Sequence, residues 1–438
     1  MTDPGHPAVP WREAVRAWVT VAIHSFGGPA AQIATLHRVV VEERRWLSEE
    51  RFLGALSYCT LLPGPEAQQL ATYIGWRLHG VRGGLVAGSL FVLPGFIAIL
   101  LLSLVYVTQR DAFVVAGILA GITPAVIAIV LQAMIRLGRR SSSSAHAPVL
   151  AAAAFVALYA FHVPFPAVVV AAGLVGAVIG SRRPAPAPNE TDASNEPRPG
   201  TARTLRTLAI WLAIWLVPLA VLAVALGRHH VLVQEGTFFS KVAVITFGGA
   251  YAVLPYVADQ AVSAFGWVTP NEMLDGLGMA ESTPGPLIQV VQFVGFLGAF
   301  RGAPGTDPLL AGVAGSVVTT WATFVPSFLY IFVGAPYVEW LLHNRALAAA
   351  LRGITAAAVG VIANLAVWFT IHTLFGEVRV LELGAVRFDV PELASVRWNS
   401  LLIAASAVVA TFVFRVALLP LLGGAAVVGL VLRAFSVS

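Results

Sequence analysis

From residue 207 to 227 the chain reads TLAIWLAIWLVPLAVLAVALG, without one charge. As a helix such a run crosses roughly 30 Å of hydrocarbon, where only a helix or a closed barrel satisfies its own backbone. Comparable spans are expected at 83–107, 112–135, 147–162, 165–181, 309–335, 346–373, 398–414 and 416–436. The chain has 58% hydrophobic and 11% charged residues, against roughly a quarter charged in a soluble protein. Its fold class is therefore all-α, a polytopic protein of the lipid bilayer. The net charge of +5 comes from arginines set between apolar spans, a topology signal that does not form the basic tract of a nucleic-acid partner. Cys59 stands alone, which excludes an internal disulfide and a multi-cysteine metal site; no metal and no cofactor is expected. Residues 1–10 are polar and proline-rich and carry no cleavable signal pattern.

The chain repeats itself. FGGPAAQIATLHRVVVEERRWLSEERFLGALSYCTLLPGPEAQQ from Phe26 recurs as FGGAYAVLPYVADQAVSAFGWVTPNEMLDGLGMAESTPGPLIQV from Phe247, at a constant offset of 221. An insertion near 302–307 raises the offset to 232, pairing Pro94 with Pro326 and the run from Gly121 to Thr123 with that from Gly353 to Thr355. The expected organisation is a first repeat over 1–181, a polar linker over 182–206, an unpaired transmembrane helix with its loop over 207–235, and a second repeat over 236–438. One unpaired crossing between halves that each cross an even number of times inverts the second half. Suppose that the segments holding FGG and PGP are re-entrant hairpins and that the N-terminus is cytoplasmic. Then eight of the 27 Lys and Arg lie outside (Arg110, Arg228, Lys241, Arg301, Arg379, Arg387, Arg397 and Arg433) and nineteen inside. Fully crossing segments weaken that bias, so hairpins are favoured, and the C-terminus is expected in the periplasm. The arms flanking each break, about 13 to 15 residues, reach roughly 20 Å and turn back near the midplane.

A helix broken inside a bilayer is tolerated where protein or a watery cavity satisfies the freed backbone groups. Pro29, Pro65 and Pro286 suit the start of a second arm, with Ala250 in the fourth such place. Four helix N-termini would converge, each with free amides and a partial positive charge, in the manner of broken-helix transporter sites. The ligand this suits is a small anion. Its candidate contacts are Gly27, Gly28, Gly64, Gly248, Gly249 and Gly285 at the breaks, with Gln32, Gln68, Gln289, Ser282 and Thr283 flanking them. Lys241, the single lysine, lies in an apolar arm, where a cation could balance a bound anion or snorkel to the interface. Glu281, at the C-terminal end of an arm where the dipole disfavours a carboxylate, is the leading coupling candidate, the alternative being a pair with Arg301 or Lys241. Glu66, at a helix start, and His24, one turn before the first break, are the other coupling candidates.

SFGGPAAQIATLHRVVVEERRWLSEERF, LLPGPEAQQLATYIGWR, TFGGAYAVLPYV and ESTPGPLIQVVQFVGF resemble the signatures of the chromate ion transporter family in its long two-domain form, over essentially the whole chain except the linker. The resemblance implies a secondary transporter of the inner membrane that exports chromate, driven by the proton motive force, and confers chromate resistance. Sulfate is the tetrahedral dianion chromate resembles, and protons are the implied coupling ion. Many members carry Lys where this chain has Thr20 and Gln where it has Thr60, positions that bear on substrate preference. The rival readings are sulfate uptake or exchange, and a passive anion channel, against which the repeat supplies the two gates of alternating access. No phosphate-binding loop and no catalytic cluster is present, so no enzyme is expected. A homodimer is allowed for.

Overall fold

A computed structural model describes residues 9–110, 112–141, 146–181, 200–337, 345–384 and 386–437. The described residues are helical, apart from one short hairpin of strands. The first repeat begins with α1 (Trp11–Ile23), α2 (Gly28–His37), α3 (Glu49–Leu61) and α4 (Glu66–Gln109). His79 and Gly80 leave helical geometry inside α4, dividing it into an arm over 66–78 and a crossing over 81–109. Then come α5 (Phe113–Ser141), α6 (Ala147–Tyr159), α7 (Phe165–Ser181) and α8 (Thr201–Leu226). The second repeat begins with α9 (Val231–Ile245), α10 (Ala250–Asp259), α11 (Pro270–Ser282) and α12 (Val290–Gly302). It continues with α13 (Pro308–Gly334), α14 (Arg345–Leu374), the antiparallel strands β1 (Val378–Leu383) and β2 (Val386–Pro391), α15 (Trp398–Phe412) and α16 (Leu418–Val437).

The two repeats match in detail. Both FGG breaks turn through positive φ, and α2 and α10 both end in a wide π turn, over 38–43 and 260–264. Ser48 Oγ caps α3, and Thr269 Oγ1 caps the equivalent α11 within a capping box closed by Glu272. Trp46 and Trp267, just before these caps, are buried in both halves. One difference is local: the second PGP leads into a 3-10 turn over 287–289 before α12 begins, whereas Pro65 leads straight into α4. Another is larger. The offset of 232 that carries α5 onto α14 carries α6 onto β1 and β2, so a strand hairpin stands where the first half has a helix. It rests on the end of that helix: the N–H of Arg387 donates to the C=O of Ala160, and Phe388 meets Tyr159.

Six of the nine expected crossings are helices long and apolar enough to span a membrane: the outer part of α4, α5, α8, α13, α14 and α16. The other three, α6, α7 and α15, have 13, 17 and 15 residues. The helices pack on one another through small residues. Gly353 of α14 meets the Ala172 carbonyl of α7, and Gly121 of α5 meets the Ala425 carbonyl of α16, as small residues allow between membrane helices. The paired runs from Gly121 and from Gly353 thus each mark a crossing between a helix of one half and a helix of the other. α8 is apolar and only 11% buried over its most apolar window, a lipid-facing strut. It begins at Thr201, ahead of the boundary expected at 207, because its polar first turn continues the helix beyond the apolar stretch. α9 likewise opens at Val231, before the expected 236. The remainder of the expected linker, 182–199, lies outside the described residues.

The hairpins of each half open at one end. Arg44, beyond α2, bonds Glu13 of α1 at 2.7 Å, and His79, ending the inner arm of α4, reaches the Val9 carbonyl at 2.8 Å. Both segments of the first half therefore leave where they came in. In the second half Arg301, ending α12, bonds Glu272 at the start of α11 and the Trp267 carbonyl, and Gly302 lies against Val231 at the start of α9. The crossing over 81–109 joins these two mouths, since His79 lies at one end and Arg110, bonded to Glu272 at 2.9 Å, at the other. At 1.5 Å per residue they are roughly 40 Å apart.

Candidate functional site

The breaks meet between the two mouths. The N–H of Gly285 donates to the C=O of Ser25 at 3.0 Å, and the N–H of Gly64 to the C=O of Thr246 at 2.7 Å. Ser25 and Thr246 hold one repeat position, Gly64 and Gly285 another, so each PGP tip is tied to the FGG tip of the opposite half by an equivalent bond. The surroundings repeat as well. Ser25 Oγ donates to the Val21 carbonyl and Thr246 Oγ1 to the Val242 carbonyl, both at 2.6 Å. Gly285 lies against Gly95, and Gly64 against Ser327, which the offset of 232 makes equivalent. Glycine is required at both PGP tips: φ is +120° at Gly64 and +101° at Gly285, a region side chains avoid. A Cβ on Gly285 would sit 3.0 Å from Gly95 Cα.

α2, α4, α10 and α12 all start within a few residues of these bonds, so their free amides and positive dipole ends gather there. Two carboxylates border them. The Tyr251 hydroxyl donates to Glu281 Oε1, and Glu281 is only 2% exposed. A Cβ on Gly28 would lie 3.7 Å from that hydroxyl, and one on Gly249 would lie 3.8 Å from Glu66 Oε1. An acidic group thus stands beside each FGG tip, contributed by the other half.

The expected flanking residues divide. Gln32 is buried and its Nε2 donates to the Gly285 carbonyl at 2.6 Å, which makes it a fastener of the crossed tips. Gln68 and Gln289, equivalent and buried, donate to Thr72 and to Gln292, and their Oε1 atoms have no partner among the described residues. Ser282 and Thr283 return their protons to the Met279 and Ala280 carbonyls of their own helix. His24 is exposed, with Nδ1 on the Thr20 carbonyl. Lys241 does not join the group: it is exposed on α9 with its ammonium over the Tyr256 ring. Neither expected cation pairs with Glu281, since Arg301 is held by Glu272 and Tyr251 takes that place.

Sequence reasoning passed over Tyr251, Ser25 and Thr246. The hydroxyl residue before each FGG was a visible signal, whereas Tyr251, whose equivalent is Ala30, left none. Glu235 was also missed; it is buried in α9 against Gly298 and Gly315, and its equivalent is Ala14. At the second mouth Glu272 binds both Arg301 and Arg110. Burial alone would raise its pKa, but the Arg301 and Thr269 hydrogen bonds and both guanidinium charges hold it at about 2.

The sequence profile described as chromate transporter matches residues 12–177 and 233–430, one region in each repeat. The chain belongs to the chromate transporter family. It is 32% identical over 367 residues to the chromate transport protein of Pseudomonas aeruginosa, covering 82% of this chain and 81% of that one. It is 28% identical over 361 residues to the chromate transport protein of Cupriavidus metallidurans, covering 81% and 82%. A probable chromate transport protein of Synechococcus elongatus is 27% identical over 368 residues, covering 82% and 84%. No solved structure matches. As a member of this transporter family with its long apolar helices, the protein is a multi-pass membrane protein, and the crossed tips lie within the matched regions.

Proposed function

We propose that the protein exports chromate across the inner membrane as a secondary active transporter driven by the proton motive force, and so confers chromate resistance. Family membership supports the substrate. The observation that carries the site is the pair of equivalent bonds, Gly285 to Ser25 and Gly64 to Thr246. They gather the helix starts flanked by Gly27, Gly28, Gly64, Gly248, Gly249 and Gly285 at one point between two mouths, where amides receive a tetrahedral dianion. Gln32, Gln68 and Gln289 border that point. The halves are inverted in the membrane, with the N-terminus cytoplasmic and the C-terminus periplasmic, a reading supported by mouths at opposite ends of the 81–109 crossing and by the arginine distribution. Rocking of one half against the other opens the mouths in turn.

The proton motive force acts in two ways. An inside-negative potential drives a dianion outward, at about 2.3 kcal/mol per charge per 100 mV. Glu281, held by Tyr251, is the proton-coupling group, with Glu66 beside Gly249 as its counterpart. The test is radiolabelled chromate accumulation in everted inner-membrane vesicles, with nigericin to remove the pH gradient, valinomycin to remove the potential, and sulfate as competitor. Energised accumulation that sulfate competes for is expected, and Glu281→Gln should lose only the pH-gradient component. Gradient-independent equilibration would make the protein a channel, while sulfate flux without chromate flux would make it a sulfate carrier.

A further inference from the structure

Away from the tips, at the second mouth, lies a cavity of about 310 Å³ between α5, α11 and the ends of α4, α14, α15 and α16. At roughly 30 Å³ per water it has room for a tetrahedral oxyanion and part of its hydration shell. Three guanidinium groups from well-separated parts of the chain line it, Arg110, Arg397 and Arg433, against one carboxylate, Asp275. That leaves two net positive charges among its described lining residues.

The charges already engaged are identifiable. Arg110 bonds Glu272, and Asp275 accepts from the Tyr106 and Thr123 hydroxyls at 2.8 and 3.0 Å. Arg397 and Arg433 have no carboxylate partner among the described residues; Arg433 lies over the Phe113 ring. Two lining residues also hold buried polar atoms with no hydrogen-bond partner, Arg433 Nε and Thr373 Oγ1, and Thr373 is 3% exposed. Both atoms can donate, so what they lack is an acceptor. Planar guanidinium groups bind oxyanions through paired N–H bonds, and their attraction strengthens where water is partly excluded.

We propose that this cavity is a second binding site for a tetrahedral oxyanion dianion, distinct from the crossed tips and placed at the mouth of the second half. The dianion's identity rests on the oxyanion-transport reading, and in that reading the cavity receives the ion as it leaves the tips. A lipid phosphodiester offers the same tetrahedral oxygens but one charge, and the balance of Arg110, Arg301, Arg397 and Arg433 against Glu272 and Asp275, a surplus of two, favours the free dianion.

The test is equilibrium binding of radiolabelled sulfate to the full chain in phosphatidylcholine nanodiscs, comparing wild type with Arg397→Gln/Arg433→Gln and with the milder Thr373→Val, each verified by its melting curve. Two sulfates per chain are expected in wild type and one in the double variant, with Thr373→Val weakening one of the two sites about tenfold, the effect of losing a hydrogen bond to a charged group. A single sulfate in wild type, retained by both variants, would overturn the inference and leave the tip site standing. A single sulfate in wild type that the double variant loses would uphold the cavity and overturn the tip site instead. Repeating the measurement with phosphatidylglycerol separates the sources. If no second sulfate binds in either lipid, and wild type retains phosphatidylglycerol that the double variant releases, a headgroup is the occupant and the free-dianion assignment falls.

Discussion

Replacing Gly285 by alanine tests the crossed tips directly. The backbone there has φ of +101°, and holding an L residue in so sparsely populated a region costs about 1–3 kcal/mol. The added Cβ would lie 3.0 Å from Gly95 Cα and 3.2 Å from Gly95 N. These are backbone atoms that cannot rotate away, so overpacking adds about 1–3 kcal/mol. A total near 3 kcal/mol shifts the balance between joined and parted tips by roughly a hundredfold, at about 1.4 kcal/mol per factor of ten. Gly80→Ala is the control. Its φ of +62° with ψ of −154° is likewise a region that side chains avoid, yet nothing lies within 4 Å of a new Cβ, so the strain alone remains, about 1–3 kcal/mol. Initial rates of chromate uptake into everted vesicles, with melting curves in detergent, should show Gly285→Ala and its counterpart Gly64→Ala nearly inactive and Gly80→Ala close to wild type. If Gly285→Ala transports as well as Gly80→Ala, the joined tips are not part of the transport cycle and the argument for the site fails.

Gln32→Leu leaves the buried Gly285 carbonyl without its 2.6 Å donor and should cost about 1–3 kcal/mol, measured as a lowered melting temperature with reduced transport. Tyr251→Phe removes the hydrogen bond to Glu281 and should alter the pH-gradient component of transport while sparing the potential-driven one; equal loss of both would make Tyr251 structural only. Glu272→Gln leaves Arg301 and Arg110 without their shared carboxylate. Because those guanidinium groups are 43% and 42% exposed, the expected loss is about 1–2 kcal/mol, less than for a fully buried pair. The Glu272 pKa is lowered from 4.5 to about 2. Its stabilisation is therefore complete above about pH 4.5 and disappears as pH falls towards 2. Acid unfolding followed by tryptophan fluorescence should show that dependence in wild type and a weaker one in Glu272→Gln.

The hairpins were legible because glycine and proline punctuate a membrane helix at fixed offsets in both repeats, and arms of about 13 residues cannot cross a bilayer. The caps at Ser48 and Thr269 carry the same local signal. What the sequence hid is long-range. Nothing near Gly285 tells it to bond Ser25, and the Glu272 cluster draws on Arg301 and Arg110, which are 29 and 162 residues away. Lys241 looked like a site residue because it stands alone in an apolar arm, but helical phase turns it outward. The strands over 378–391 escaped notice because six-residue strands with interspersed charges resemble a polar loop until the end of α6 supplies a bonding edge.

The crossed tips also bear on how the chain is made. When the first repeat has been synthesised and inserted, the Ser25 carbonyl and the Gly64 amide still lack the partners they hold in the finished protein, because those partners, Gly285 and Thr246, have yet to leave the ribosome. The early hairpins must therefore wait in the bilayer with unsatisfied backbone, sheltered by water or other helices. Their closure is a late step of high contact order, completed only when the second repeat has inserted. Quality control that senses exposed polar backbone would therefore find its target at residues 25 and 64 of a stalled or truncated chain.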